Sequence, residues 1–382
     1  MTSSESSDEL IRVRLVDPRC ERIAWADGLE VMMPGAALAQ AGLRRAVDSR
    51  GELRVPADCG RPADGIAGSM RLRAAFTPRP ASSRLPFSYR SIPGPVRRVI
   101  AGVSGRLQKR RVHRWARFPM WPIDVSADVL ADWAAPGPDG TGSGSAHEPT
   151  PVVLTHDIDS ADGLRRLVSD FLPIEEELGT RSTSYVVPCA WPLDEGLLRE
   201  SRARGHALGI HGYDHANRTP FAESAERRAR LDAARPLAER FEMHGYRAPS
   251  LLRTPELLAD LAARYRYDSS VPTSGGPFPV PNNGCASARP FRVGGLVEIP
   301  VSLPRDGSLR FLGHPPDEIL ELWKQCALVV SRARGVVVLL THCEPHFSGN
   351  PSMLRTYRRF LEWVAGQQRF AWATPLDAIT RA

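Results

Sequence analysis

Lysine is almost missing from this chain. Of its fifty cations two are lysines, Lys109 and Lys324, and the rest are arginines; such a bias follows from base composition and is not by itself a nucleic-acid signature. Long apolar runs are missing too. None approaches the roughly 18 consecutive residues a membrane span needs. The opening residues, from Met1 to Glu9, are polar and acidic with no apolar stretch, so no secretory signal can be read. The expected location is cytoplasmic, at most peripheral to the inner membrane face. No C-x-x-C pair occurs. The six cysteines (Cys20, Cys59, Cys189, Cys285, Cys326, Cys343) stand far apart, which points to reduced core thiols and away from a disulfide frame or zinc knot.

What is present describes a globular protein. With 382 residues and 42% hydrophobic content the chain can build a core, and its length fits two domains or one large α/β domain with an extension. The formal charge of +7 is concentrated. Between Ser91 and Ile123 stand eight cations and no acid. Val96, Val99, Ile100, Val103 and Leu107 recur there at helical spacing, predicting an amphipathic basic helix over Val96–Trp115, weakened by Gly102 and Gly105. The basic segment 96–117 suits either anionic lipid or phosphate, or a solvated helix face packed on the rest of the protein. Nucleic acid is not expected, since no recognition motif accompanies the charge. Residues 1–148 otherwise read as an N-terminal extension of short strands and loops, ending in the Pro/Gly/Ser-rich stretch Pro136–Pro149.

From residue 149 to 382 the text changes. Val152–Thr155, Thr183–Val187, Ala207–Ile210, Leu296–Val301 and Val336–Thr341 read as strands buried on both faces. Between them lie helical stretches at Asp194–Arg204, Ser224–Phe241, Pro255–Arg264, Pro316–Ala333 and Ser352–Ala365. Thr254-Pro255-Glu256 supplies a start signal and Gly205, Gly335 and Gly366 supply stops. Strands alternating with helices imply parallel pairing through right-handed crossovers, and about seven such units favour a distorted (β/α) barrel.

In such a barrel the chemistry gathers at the C-terminal strand ends. After the first strand come Asp157 and Asp159, two positions apart on extended backbone and therefore on one face. Two close carboxylates repel unless a cation joins them; a metal on one leaves the other as a general base. His211 and His215 have the i, i+4 spacing that sets two imidazoles on one side of a helical turn. Two histidines and one carboxylate, with positions left open, form a catalytic type of metal site. Arg247, followed by Pro249, is sited to hold Asp157 ionised. Asp268 follows Tyr267, and His342 follows the most apolar strand. His156, Glu344 and His346 lie nearby without an assigned part.

These motifs, Thr155-His-Asp-Ile-Asp159, His211–His215, Arg247-Ala-Pro249, Asp268 and Leu339-Leu-Thr-His342, resemble those of the polysaccharide deacetylase family (the NodB-homology domain, carbohydrate esterase family 4) over residues 150–375. The resemblance implies Asp157 as base, Asp159, His211 and His215 as metal ligands, His342 as acid, Arg247 as the group that tunes Asp157, and Asp268 as the orienter of His342. It also implies a divalent metal, Zn²⁺ ahead of Co²⁺, Ni²⁺ or Mn²⁺. The first motif is an H-D-x-D variant of the commoner T-F-D-D-G, Ser250 replaces the usual aromatic, and the tryptophan near the fourth motif is missing, so the chain resembles a divergent branch. The expected activity is metal-dependent deacetylation at a carbon–nitrogen amide bond other than a peptide bond. Its expected substrates are an N-acetylated sugar, a nucleotide sugar or a glycosylated small molecule. The alternatives are hydrolysis of a non-sugar amide or other C–N bond in a small metabolite, and a non-catalytic carbohydrate-binding member of the fold. Two histidines and a carboxylate also occur in non-haem iron oxygenases, though on β-rich scaffolds.

Overall fold

The computed structural model describes residues 148–273, 284–380 and 382, the strands at 10–15, 29–34 and 52–53, and scattered residues between 79 and 128. Strands β1 (Leu10–Leu15), β2 (Leu29–Pro34) and β3 (Glu52–Leu53) form a three-stranded sheet in the order β2-β1-β3.

The large sheet starts with β4 (Thr150–Ile158), nine residues that are all buried, as a strand covered on both faces requires. It continues with β5 (Ser182–Val186), β6 (Ala207–Ile210), β7 (Gly245–Tyr246), β8 (Tyr267–Asp268), β9 (Phe291–Val293), β10 (Leu296–Glu298), β11 (Val337–His342) and β12 (Phe370–Trp372). The order is β11-β4-β5-β6-β7-β8-β10-β9, parallel from β11 through β10, with β9 antiparallel at the end and β12 on the first residues of β4. The chain beyond β10 then turns back onto β11. Leu303 N–H donates to Val338 O at 3.1 Å, Ser302 Oγ to Val336 O at 2.7 Å, and Val338 N–H to Ser302 Oγ at 2.8 Å. This seam, made partly by a hydroxyl, closes a distorted (β/α) barrel.

Helices cover the outside. Asp194 caps Glu195–Ala203, Thr254 caps Pro255–Ala262 and Asn350 caps Pro351–Ala365, each by accepting backbone N–H groups in the first turn. Trp323, fully buried on Pro316–Arg332, donates its indole N–H to Pro304 O at 2.7 Å. Several boundaries differ from expectation. The stretch Ser224–Phe241 is two helices, Ser224–Asp232 and Arg235–Arg240, with Pro236 starting the second. Two helical segments lie outside the stretches predicted as helical: Ala161–Glu177, which contains the π-helical turn Leu167–Phe171, and Asp306–Leu312. At the stop near residue 335 the left-handed residue is Arg334, φ 53°.

Part of the extension joins the barrel. Val112, Trp121, Ile123 and Val125 belong to its main apolar core, and Asp128 accepts from Ser287 Oγ and from Ala288 N–H. Residues 96, 99, 103, 107–110 and 112 are helical. The described residues of the apolar stripe do not pack on the barrel, however: Val96, Val99, Val103 and Leu107 are 48–67% exposed, whereas Val112 beyond them is buried. Cys285, Cys326 and Cys343 are buried free thiols, but Cys189 is exposed because it sits in the loop after β5; Cys20 and Cys59 lie outside the described residues. Among the described residues no helix is long and apolar enough to cross a membrane.

Candidate active site

The C-terminal ends of β4, β6, β7 and β11 bring most of the sequence-selected residues together. Asp157 is the penultimate residue of β4 and Asp159 follows the strand, just before Ser160 caps the next helix. Asp159 Oδ1 lies 3.5 Å from His211 Nε2 and 3.1 Å from His215 Nε2. Asp157 Oδ2 lies 3.6 Å from His211 Nε2. The two imidazoles do not share a helical turn. They sit in a non-helical loop after β6, where Gly212 (φ 70°) and His215 (φ 59°) both adopt the left-handed region. The sharp turn at Gly212, packed against Pro249, delivers the second ring to the first, centroids 5.2 Å apart.

This set fits a divalent cation. His211 Nδ1 is 2.9 Å from Arg247 O, so it carries the proton and Nε2 presents a lone pair. Burial, outweighing the nearby Asp157 and Asp159, pulls the His211 pKa down and favours that neutral ring. Asp159 Oδ1 is buried without a hydrogen-bond partner. Burial opposes the Asp159 charge, yet His215, His211 and His342 outweigh it and hold the carboxyl below its ordinary range. The His211 lone pair and the anionic Asp159 oxygen facing one another repel in the absence of a cation. All three ligand atoms lie within 4.8 Å of one another, and the edges at Asp159 approach the roughly 3.4 Å that tetrahedral ligands about 2.1 Å from a zinc ion would span.

Asp157 stands beside this group and is held differently. Arg247, wholly buried, donates from Nη1 to Asp157 Oδ1 at 3.0 Å and to Thr155 Oγ1 at 2.9 Å. Its Nε and Nη2 bond Ser269 O and Oγ, and its guanidinium lies 4.2 Å from the centre of the Tyr185 ring. A buried arginine needs such full partnering. Burial pushes the Asp157 pKa up, but His211, Arg247 and His342 together bring it below the ordinary value. Asp157 is therefore an ionised carboxylate without a backbone role.

His342 closes the far side. Its Nδ1 lies 2.7 Å from Asp306 Oδ1, and its backbone N–H donates to Asp306 Oδ2 at 2.8 Å. Burial lowers its pKa, but Asp306, Asp159 and Asp157 outweigh burial and raise it to about 10. The imidazolium is thus the resting form at neutral pH, and Nε2 is the nitrogen left to donate.

The orienter of His342 is Asp306, which corrects the expectation for Asp268. The wholly buried Asp268 accepts from Ser270 Oγ at 2.7 Å, and Ser270 Oγ in turn accepts the Ala248 N–H at 2.8 Å. Burial raises the Asp268 pKa, and burial together with Asp268 raises that of Glu298 well above its usual value. Asp268 thus braces the loop that carries Arg247. Asp306 is legible in the sequence as the first carboxylate after the strand Leu296–Val301.

The remaining residues separate by face. His156 points away from the site, between Thr341 Oγ1 at 2.9 Å and Glu175 Oε1 at 2.8 Å. Glu344 Oε1 accepts from Asp159 N–H at 3.0 Å and Ser160 Oγ at 2.9 Å, fixing the ligand loop from behind. Burial and the Asp159 charge raise its pKa to about 7. The exposed His346 stacks on Phe347, centroids 4.1 Å apart, and Phe347 on His342 at 4.6 Å, making an aromatic rim beside the acid.

No family model and no curated protein matches the chain. Similar solved structures include a Mycobacterium smegmatis protein assigned to the polysaccharide deacetylases, 21% identical over 64% of this chain and 92% of that one, TM-score 0.49. Puue allantoinase is 16% identical over 63% of this chain and 94% of its own, TM-score 0.48. The chitin deacetylase of Colletotrichum lindemuthianum is 18% identical over 62% and 89%, TM-score 0.42.

Proposed function

We propose that this chain is a metal-dependent amide hydrolase of the polysaccharide deacetylase kind, which removes an acetyl or related acyl group from the nitrogen of an amino sugar or sugar-containing precursor. One observation carries this reading: a three-donor set with an unsatisfied carboxylate oxygen stands between an ionised aspartate and a protonated imidazole. Asp159, His211 and His215 would hold a divalent ion, Zn²⁺ ahead of Co²⁺, Ni²⁺ or Mn²⁺, which supplies Lewis acidity to an acyl oxygen and lowers the pKa of water.

The protein's own groups manage the protons. Asp157, kept ionised and oriented by Arg247, takes a proton from the water whose oxygen bonds to the acyl carbon. The C–N bond cannot break with an amine leaving as an anion, so His342 donates the proton from Nε2 as nitrogen departs. Acetate and a free amine result. Asp306 keeps that imidazole charged and aimed, and Asp268 keeps Arg247 in place.

The test separates ligand from base. Asp159→Ala should lose bound metal, measured on purified protein by elemental analysis. Asp157→Asn should keep metal and lose acetate release from N-acetylglucosamine and UDP-N-acetylglucosamine by about 10²–10⁴-fold. Full metal content and full activity in both variants would end the assignment.

A further inference from the structure

Arg305 directly precedes the acid's orienter and occupies the N-cap position of the helix Asp306–Leu312. Gly307, on the same turn, is placed so that a Cβ there would stand 3.6 Å from His342 Cε1, so residues 305–307 run along the imidazole. The half-buried Arg305 side chain makes one hydrogen bond among the described residues, from Nε to Ser308 Oγ at 3.0 Å. Among the described residues neither Nη group has a protein acceptor. Other arginines of the barrel spend their forks on carboxylates, as in Arg204 with Glu176, Arg227 with Asp260 and Arg264 with Asp232.

The acids around Arg305 each have a closer partner than its guanidinium. Asp157 already has Arg247 at 3.0 Å, Asp306 has His342 at 2.7 Å, and Asp159 faces the two metal-binding imidazoles. Arg305 nonetheless lies in the field of Asp157, Asp306 and Asp159, although burial lowers its pKa overall. A half-buried guanidinium whose Nη groups meet no acceptor among the described residues suits a bidentate oxyanion.

We propose that Arg305 receives an oxyanion, a carboxylate or a phosphate, carried by the substrate close to its scissile amide. This rests on the hydrolase reading above and narrows it to acidic acylated amines.

Equilibrium binding tests it without requiring turnover. Zinc-loaded wild-type protein and Arg305→Gln are titrated calorimetrically with N-acetylglucosamine, N-acetylglucosamine 1-phosphate and N-acetylmuramic acid. One anionic probe should bind wild type about 10- to 100-fold more tightly than the neutral sugar, the range expected of charge-assisted hydrogen bonds. That preference should vanish in Arg305→Gln, with metal content unchanged, and return in part in Arg305→Lys. The phosphate and carboxylate arms tell which group is read. Equal binding of charged and neutral probes by wild type, no binding of either anionic probe, or a preference that survives Arg305→Gln would overturn the proposal. An anionic probe that binds through Arg305 but releases no acetate would instead count against the hydrolase reading alone.

Discussion

Replacing Asp306 with asparagine removes one negative charge from a buried contact and leaves the shape almost unchanged. The Asp306 side chain receives the His342 backbone N–H at 2.8 Å and the Ser348 hydroxyl at 2.7 Å, and lies 2.7 Å from His342 Nδ1. An asparagine carbonyl can still accept from Nδ1, so the ring should stay aimed while its charged form loses its main support. An opposite charge at this range is worth roughly 1–3 pH units, and each unit about 1.4 kcal/mol. The sign is fixed: a raised histidine pKa keeps the donating form through neutrality and loses it as pH rises toward about 10. Asp306→Asn should therefore move the alkaline limb of the kcat/KM profile downward by about 1–3 pH units, with metal content close to wild type, while the amide NH₂, now facing the His342 N–H and the Ser348 hydroxyl, lowers the thermal midpoint. The assay is acetate release from neutral to strongly alkaline pH. An alkaline limb that stays in place, with activity lost evenly across pH, would refute the reasoning and reduce Asp306 to scaffold.

Two further outcomes follow from the shell behind the site. Glu175 is buried between His156, His206 and Tyr357, and Glu175→Ala should cost about 3–5 kcal/mol in urea unfolding, because it strands buried partners. Burial raises the Glu175 pKa, but His156 outweighs it, with hydrogen bonds from its neighbours, and brings it down to about 2. The deficit should be full at neutral pH and shrink as pH falls toward that value; an unchanged deficit in acid would contradict the ionised form. A Cβ at Gly163 would fall on the Glu344 carboxylate, so Gly163→Ala should push Glu344 off the Asp159 N–H and weaken zinc retention against a chelator, with wild-type retention as the contrary result.

What could be read from the sequence follows the length of the local signal. β4 and β11 are long apolar runs, and the acids and imidazoles at their ends were found because a barrel concentrates polar residues there. β7 and β8 span two residues each and have no period to detect. Their order in the sheet comes from neighbours far away in sequence, which is why Asp268, next to Tyr267, looked like a site residue and turned out to brace a loop. The i, i+4 spacing of His211 and His215 suggests a shared helical turn, whereas left-handed backbone at Gly212 and His215 is what brings the two rings together. The stripe from Val96 to Leu107 has the period of a packed helix but faces solvent, because periodicity records a face and not what covers it.

The closure between Ser302 and β11 ties mechanics to proton transfer. His342 ends one bank of that junction and Asp306 begins four residues beyond Ser302 on the other. A widening there would draw the carboxylate from the imidazole it charges, while β4 and β6, which lead into Asp159 and the loop of His211 and His215, would stay joined through β5.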